Sequence, residues 1–225
     1  MISVITITHN RSEFLTRAIR SVLDQDFHDF EYIIIDDGSD EDIETLIKTF
    51  NDPRIIYVYT KRLARISALR NLGLEKAKGQ IISFLDNDDF WEPSYLRQVN
   101  SKFSAPEIKA VISNAIISKG EKKEVLFNDL KNLKVSGNLL EQKLKNDQFV
   151  IHPSCFSFRN SLNLRSNAEL KYGDNDLFLR ILANGNSLII QEELVTIIKH
   201  QTNMSSQATY DSTFIQAYFE ELENP

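Results

Sequence analysis

At residues 81–89 the chain reads Ile81-Ile82-Ser83-Phe84-Leu85-Asp86-Asn87-Asp88-Asp89, an apolar run that stops at three carboxylates. Apolar runs of this length are typical of parallel strands that are covered on both faces. In open α/β sheets the ligand crevice lies just beyond the carboxyl ends of such strands. Crowded carboxylates repel one another unless hydrogen bonds or a cation compensate them, and oxygen ligands suit Mg²⁺ or Mn²⁺. The stretch therefore predicts a buried strand that ends at a divalent-metal site, or alternatively a polar turn that caps the next helix.

The segments before this strand alternate between strand and helix patterns. Apolar, β-branched runs predict strands at 2–7, 32–35 and 54–59. Apolar residues at helical spacing predict helices at 40–50, at 67–78 and after Ser12, which we expect to be the helix cap. Such an alternation implies right-handed crossovers and a mainly parallel sheet flanked by helices. Because the strand at 32–35 also runs into aspartates, two acidic strand ends are expected along one crevice.

From Pro93 onward the pattern of predicted helices and strands is mixed. Helices are predicted at 95–103, 139–144, 174–184 and 210–222, and strands at 111–118, 124–127, 149–158, 188–190 and 195–198. No linker or internal repeat separates the parts. The prediction is an α/β fold in one domain, 1–225, with a nucleotide-type N-terminal half at 1–92 and a mixed C-terminal half at 93–225.

Composition narrows the class of protein. The 225 residues are 42% hydrophobic and 26% charged, which suits a globular domain with a sizeable core. The net charge of −6 and the absence of a basic track make nucleic acid an unexpected partner. No apolar run is long enough for a transmembrane helix, and no secretory leader is recognisable. The only cysteine, Cys155, excludes an intrachain disulfide and fits a cytoplasmic location.

Taken together, a set of short motifs resembles family 2 glycosyltransferases, which have the GT-A fold. Each motif alone is common, but they occur here in the family's order and span nearly the whole sequence. They are ITHNR at 7–11, IIDDGS at 34–39, LRNLGL at 69–74, AKG at 77–79, FLDNDDFWEP at 84–93, DNDLFLR at 174–180 and KHQTNMS at 199–205.

The resemblance implies a nucleotide-binding role for four residues. Asp37 corresponds to the family's base-reading aspartate, whose carboxylate accepts from a uracil N–H; alternatively it caps the following helix. Thr8 corresponds to the residue whose backbone meets the base, although it could simply end its strand. Arg70 corresponds to an arginine that supports the nucleotide, or is an exposed helix residue. Asp86 is expected to face the ribose.

The same resemblance implies a metal site for Mn²⁺ or Mg²⁺. Asp88 is expected to ligate the ion that bridges the donor diphosphate, and His200 to contact the metal or the diphosphate unless it is structural. Asp89 is expected to hold the loop or to orient the acceptor. Asn87 replaces a small residue of the family, and we expect it to change the loop surface without affecting the metal ligand.

The general base implied by the family is Asp174, at the start of a helix. Gly173 stands where the family has a glutamate, which weakens the match and makes Asp176 a rival. Either aspartate could instead complement the helix dipole, and Arg180 is expected to form a structural ion pair.

Three further residues are assigned to packing. Trp91 is expected to pack under the acidic loop, with stacking on a sugar as the alternative. His152 and Cys155 are likewise expected to be packing residues.

The function that the resemblance implies is a metal-dependent, inverting transferase that moves one sugar from a nucleotide sugar, most simply a UDP-sugar. Residues 1–92 would be the nucleotide-sugar-binding half and residues 93–225 the acceptor-binding half. The acceptor would be a saccharide or lipid-linked saccharide in bacterial surface polysaccharide or glycolipid synthesis. The protein would be cytoplasmic, with peripheral contact at the inner membrane face as one option. Processive synthases of the family carry membrane helices and a Gln-x-x-Arg-Trp motif, which the sequence lacks, so single-sugar addition is expected.

Two other functions are considered as alternatives: nucleotide-sugar binding without catalysis, and nucleotidyl transfer. A catalytically silent nucleotide-sugar-binding protein on the same fold is the alternative, because of Gly173 and the polar acceptor region. Nucleotidyl transfer would require a glycine-rich basic loop after the first strand, which residues 8–11 do not provide.

Overall fold

The computed structural model describes residues 1–128, 136–145, 149–168 and 173–200, in which ten strands form one sheet. The predicted helix at 210–222, motif residues 201–205 and the side chain of Asp174 lie outside the described part. The strands are β1 (Ile2–Thr8), β2 (Phe30–Asp37), β3 (Ile55–Thr60), β4 (Ile81–Phe84), β5 (Phe90–Trp91), β6 (Ile108–Lys119), β7 (Lys122–Val125), β8 (Ser136–Gly137), β9 (Phe156–Arg159) and β10 (Asn186–Ile198). The helices are α1 (Ser12–Leu23), α2 (Ile43–Lys48), α3 (Ile66–Lys76), α4 (Tyr95–Lys102), α5 (Leu140–Lys145) and α6 (Gly173–Ala183).

The first four long strands form the parallel part of the sheet. The order is β3-β2-β1-β4, and each neighbouring pair is parallel. Every residue of β2 is buried, as expected for a strand inside a covered sheet. The predicted parallel arrangement is confirmed, and it brings the carboxyl ends of β2, β1 and β4 to one edge.

Beyond β4 the sheet becomes mixed without a break. Strand β9 is antiparallel to both β4 and β6, β10 is parallel to β6, and β5 is antiparallel to β10. The two strands predicted at 188–190 and 195–198 are one strand, β10, because irregular register shifts against β6 carry the pairing across the intervening polar residues. The strand predicted at 149–158 is a strand only over β9. A 3₁₀ turn over Pro153–Cys155 precedes it, since proline lacks the N–H that a ladder needs.

Helix α1 begins differently from the sequence prediction. Arg11, not Ser12, is the residue that precedes the helix, and its backbone is left-handed with φ of 64°. The Glu41 carboxylate accepts hydrogen bonds of 2.9 Å from the N–H groups of Arg11 and Ser12. Hydrogen bonding from Ser12, and then from the Arg11 backbone, lowers the pKa of Glu41. The loop after β2 therefore caps the helix that follows β1.

The remaining helices agree with the sequence pattern, and each predicted helix within the described residues corresponds to an observed one. Helix α2 is shorter than predicted, and Asp42 caps it by accepting from the N–H of Thr45 at 3.0 Å. Among the described residues, no helix combines the length and the apolar character that crossing a bilayer requires.

Candidate active site

Three neighbouring strand ends form the floor of the candidate site. Thr8 ends β1, Asp37 ends β2, and Asp86 follows β4 by two residues. Thr8 lies opposite Asp36 in the β1–β2 register, so the polar residues of both strands meet at the same edge. Because parallel strands end together, residues far apart in sequence become neighbours here.

Asn87 joins two of these strand ends. Its Nδ2 donates to Thr8 Oγ1 at 3.1 Å, and Thr8 Oγ1 donates to the carbonyl oxygen of Asn10 at 3.0 Å. The expectation that Asn87 changes the loop surface was wrong, because the side chain is buried. Asn87 instead fixes the acidic loop against the end of β1.

The carboxylate of Asp37 is almost fully buried and faces the loop between β3 and α3. It accepts from the N–H of Leu63 at 2.6 Å, from the N–H of Ala64 at 3.1 Å and from the guanidinium of Arg62. Asp37 does not cap α2, since Asp42 does that. A carboxylate has about four acceptor positions, so these three donors leave about one unused by count, and 2% of the Asp37 side chain is exposed.

Arg70 lies under the acidic loop and is buried, which excludes the alternative of an exposed helix arginine. Its Nη2 donates to Asp86 Oδ1 at 3.2 Å, and its guanidinium lies 4.8 Å from the centre of the Phe84 ring. The Asp86 side chain remains 35% exposed. Arg70 therefore orients a carboxylate that is still open to a ligand.

Asp88 and His200 come together although they are 112 residues apart in sequence. Asp88 Oδ2 lies 2.9 Å from His200 Nε2 and accepts from Arg11 Nη1 at 3.4 Å. The Asp88 side chain is 10% exposed. Burial, and then the charge of Asp86, raise the pKa of Asp88, while His200 and Arg11 oppose that rise. The two residues predicted as metal ligands are thus adjacent.

Asp89 has a different environment from Asp86 and Asp88. It is 1% exposed, and it accepts from Ser154 Oγ at 2.5 Å and from the N–H of Ile198 at 3.0 Å. Burial raises its pKa well above the usual range, with smaller contributions from the neighbouring carboxylates. Of the two roles left open for Asp89, these contacts favour holding the loop.

His152, which the sequence analysis assigns to packing, lies beside the acidic loop. Its Nδ1 lies 3.5 Å from Asp89 Oδ2, and potential ligand atoms of His152, Asp86 and Asp89 all lie within 4.8 Å of one another. Burial lowers the pKa of His152 to about 4, so the imidazole is neutral at pH 7. The assignment to packing had only a strand-like apolar neighbourhood behind it. Nothing in that local pattern signals proximity to an acidic loop.

The helix that carries the candidate base begins at Gly173, which puts Asp174 in its first turn. Asp176, the rival, accepts from Arg180 Nη2 at 2.5 Å and Nε at 3.1 Å, and from the N–H of Asn167 at 3.3 Å. Arg180 also donates to the carbonyl oxygen of Arg165. Asp176 and Arg180 therefore form the expected structural ion pair.

Trp91 and Cys155 have packing roles. Trp91 Nε1 donates to the carbonyl oxygen of Ser154 at 2.8 Å, and its ring stacks on Tyr95 with centroids 4.0 Å apart. Cys155 is fully buried, and burial raises the pKa of its thiol.

Sequence comparison finds relatives whose similarity covers part of this chain. The putative colanic acid biosynthesis glycosyl transferase WcaA of Escherichia coli (strain K12) is 39% identical over 98 residues, which cover 43% of this chain and 35% of WcaA. The GalNAc(5)-diNAcBac-PP-undecaprenol beta-1,3-glucosyltransferase of Campylobacter jejuni is 37% identical over 91 residues, or 39% of this chain and 29% of that protein. The matches thus span only a minor part of either relative.

Solved structures match nearly the whole chain. S. aureus TarS in complex with UDP-GlcNAc superposes with a TM-score of 0.75 at 18% identity, over 92% of this chain and 61% of that one. Mannosyltransferase PcManGT from Pyrobaculum calidifontis, in complex with GDP-Man and Mn²⁺, gives a TM-score of 0.67 at 16% identity, over 91% and 59%. These likenesses confirm the predicted GT-A fold. The family model described as glycosyl transferase family 2 matches residues 3–165, most of the chain, and this protein therefore belongs to that family.

Proposed function

We propose that this protein is a metal-dependent, inverting glycosyltransferase that uses a UDP-sugar donor. The observation that carries the proposal is the row of groups along one sheet edge. The Asp37 carboxylate ends β2, the Arg70–Asp86 pair lies just beyond β4, and Asp88 and His200 meet beyond β4 and β10. In the proposed function these groups would bind a nucleobase, a ribose and a diphosphate, respectively.

The choice of nucleobase in the donor rests on the hydrogen bonds of Asp37. Three donors of the loop after β3 already contact its carboxylate, and about one acceptor position remains. Uracil presents one imide N–H, whereas guanine presents donors on two adjacent nitrogens. One free position therefore favours uracil, and GDP is the competing ligand to test.

A divalent ion fits the residues at the other end of the row. Asp88 and His200 present an oxygen and a nitrogen 2.9 Å apart, and both side chains retain some exposure. An imidazole in the ligand set favours a transition-metal ion over Mg²⁺, which is held mainly by oxygen, so we favour Mn²⁺. When bound, the ion would neutralise charge on the departing diphosphate.

The proton transfer is assigned to Asp174. Its carboxylate would take the proton of the acceptor hydroxyl as the hydroxyl oxygen bonds to the anomeric carbon. The bond between that carbon and the diphosphate breaks on the opposite face, so the anomeric configuration inverts. The ion pair of Asp176 with Arg180 supports Asp174 over its neighbour, because Asp176 is already engaged.

The acceptor proposed is a saccharide or lipid-linked saccharide hydroxyl. The support is the similarity to the E. coli and C. jejuni proteins, whose names refer to colanic acid biosynthesis and to a polyprenol-linked saccharide. Action at the cytoplasmic face of a membrane would follow from such an acceptor.

The experiment that tests the proposal has two steps. Thermal unfolding is first measured with UDP and GDP, each with and without Mn²⁺, since a ligand that binds only the folded state raises the melting temperature. We expect the largest shift with UDP and Mn²⁺ together. Release of UDP from a panel of UDP-sugars is then measured with saccharide acceptors. Nucleotide binding without any release would instead support a catalytically silent nucleotide-sugar-binding protein.

A further inference from the structure

We propose that Phe14 and Arg17, on one face of helix α1, are positioning residues that set Asp88 and His200 relative to each other. The inference rests on the proposed function, because it concerns the two candidate metal ligands. It adds two residues that the sequence motifs do not single out for the site. Phe14 would act through the His200 ring, and Arg17 through the Asp88 backbone carbonyl.

The first contact is between two rings. The Phe14 ring stacks on the imidazole of His200, with centroids 4.9 Å apart and planes inclined by 15°. His200 lies beyond the last residue of β10, so the sheet ladder does not fix its ring. A flat partner on one side of the imidazole restricts its rotation and keeps Nε2 directed at Asp88 Oδ2, 2.9 Å away.

The second contact is with the backbone of the acidic loop. Arg17 Nη2 donates to the carbonyl oxygen of Asp88 at 2.9 Å. The Arg17 guanidinium lies 4.9 Å from the centre of the Phe90 ring and 5.9 Å from that of Phe14. Because guanidinium groups are planar and stack on aromatic faces, the two rings hold the donor in place.

These contacts form a column of four side chains, His200, Phe14, Arg17 and Phe90. One end of the column is the candidate ligand His200, and Arg17 in the middle holds the backbone of the other candidate ligand, Asp88. Residues that orient metal ligands without touching the metal commonly change metal affinity by about 10–100-fold when they are replaced. The column is therefore expected to act on metal affinity through ligand geometry, with little effect on the nucleotide pocket.

The first test examines the ring contact without any metal. The chain has four histidines, so the ring-carbon proton of His200 can be assigned by NMR with labelled histidine. We expect this proton to show a ring-current shift that disappears in Phe14→Leu and persists in Phe14→Tyr. An unshifted His200 resonance in the wild-type protein would overturn the inference at this step.

The second test measures Mn²⁺ affinity by calorimetry in the presence of UDP. Phe14→Leu and Arg17→Met should each weaken Mn²⁺ binding by about 10–100-fold. UDP affinity without metal should stay unchanged, and Phe14→Tyr should retain wild-type Mn²⁺ affinity. Phe50→Leu, at a half-buried phenylalanine beyond α2, and Arg20→Met, at an exposed arginine of α1, are the matched controls.

The outcomes separate this inference from the proposed function. If the wild-type protein binds UDP without any dependence on Mn²⁺, the metal site and the column are both rejected. If wild type and Phe14→Leu bind Mn²⁺ equally, only the positioning role is rejected. Equal losses in Phe14→Leu and Phe50→Leu would mean a general effect on folding and would also reject it.

Discussion

Asp88 Oδ2 lies 2.9 Å from His200 Nε2, although 112 residues separate the two in sequence. The same oxygen accepts from Arg11, which follows β1. One carboxylate thus joins the segments that follow β1, β4 and β10. Replacing Asp88 should therefore reveal two things. One is whether UDP binding depends on the metal, and the other is how the buried carboxylate affects the melting temperature.

Replacing Asp88 with alanine should abolish UDP binding that depends on Mn²⁺. The melting temperature without ligand should stay the same or rise, because burial and Asp86 make the ionised form of Asp88 unfavourable. Calorimetry with UDP, with and without Mn²⁺, measures the first effect, and thermal unfolding the second. Asp24→Ala, at an exposed aspartate of another region, is the control. A folded Asp88→Ala variant with unchanged metal-dependent affinity would contradict the assignment.

Replacing Asp37 with alanine should weaken uridine nucleotides by about 1–3 kcal/mol, the usual cost of leaving a buried polar partner unsatisfied. It should also lower stability, because the N–H groups of Leu63 and Ala64 lose their acceptor. Titrations with UDP and ADP measure base selectivity. Arg62→Ala removes one donor but keeps the carboxylate, so it should retain a preference for UDP. Equal weakening of UDP and ADP in Asp37→Ala would assign Asp37 to holding the loop alone.

Replacing Asp174 with asparagine should reduce transfer by about 10²–10⁴-fold, the usual contribution of general-base catalysis. UDP affinity should barely change, since the base acts on the acceptor. Asp176→Asn is the matched variant: it should lower the melting temperature by weakening the pair with Arg180, with a much smaller effect on transfer. Steady-state transfer rates compare the two. An inactive Asp176→Asn beside an active Asp174→Asn would move the assignment by two residues.

Replacing Glu41 with glutamine should lower the melting temperature at pH 7, because the charged cap of helix α1 is lost. The pKa of Glu41 is lowered in the folded protein, so its stabilisation is present above the ordinary value of 4.5 and is lost as the pH falls through the folded-state pKa. The gap between wild type and Glu41→Gln should therefore close in acid. Unfolding curves from pH 7 to pH 3 measure it. Glu121→Gln, in the exposed turn between β6 and β7, should show no such gap.

The parallel half of the fold could be predicted because its signals are local. Each strand is an apolar run, each helix has its own periodicity, and parallel strands bring their ends together whatever the loops contain. Thr8, Asp37 and Asp86 could therefore be assigned to one edge without coordinates. Their roles in binding stay predictions.

The remaining features depend on pairing between distant segments. The cap of α1 comes from Glu41, which has no local relation to Ser12. The proximity of His152 to Asp89 could not be predicted locally, because it depends on the chain path past β4. The register shifts that unite β10 depend on its partner β6, and the polar residues within it resemble a break when read alone.

The contacts of Asp89 have a consequence for the order in which the protein assembles. Its two donors, Ser154 and the backbone of Ile198, follow it by 65 and 109 residues. A nascent chain that has emerged only as far as Asp86 already contains Thr8 and Asp37. The groups that fix the acidic loop are not yet synthesised at that stage. The acidic loop of the candidate site is therefore fixed late, so a correctly formed loop indicates that the chain has folded through β10.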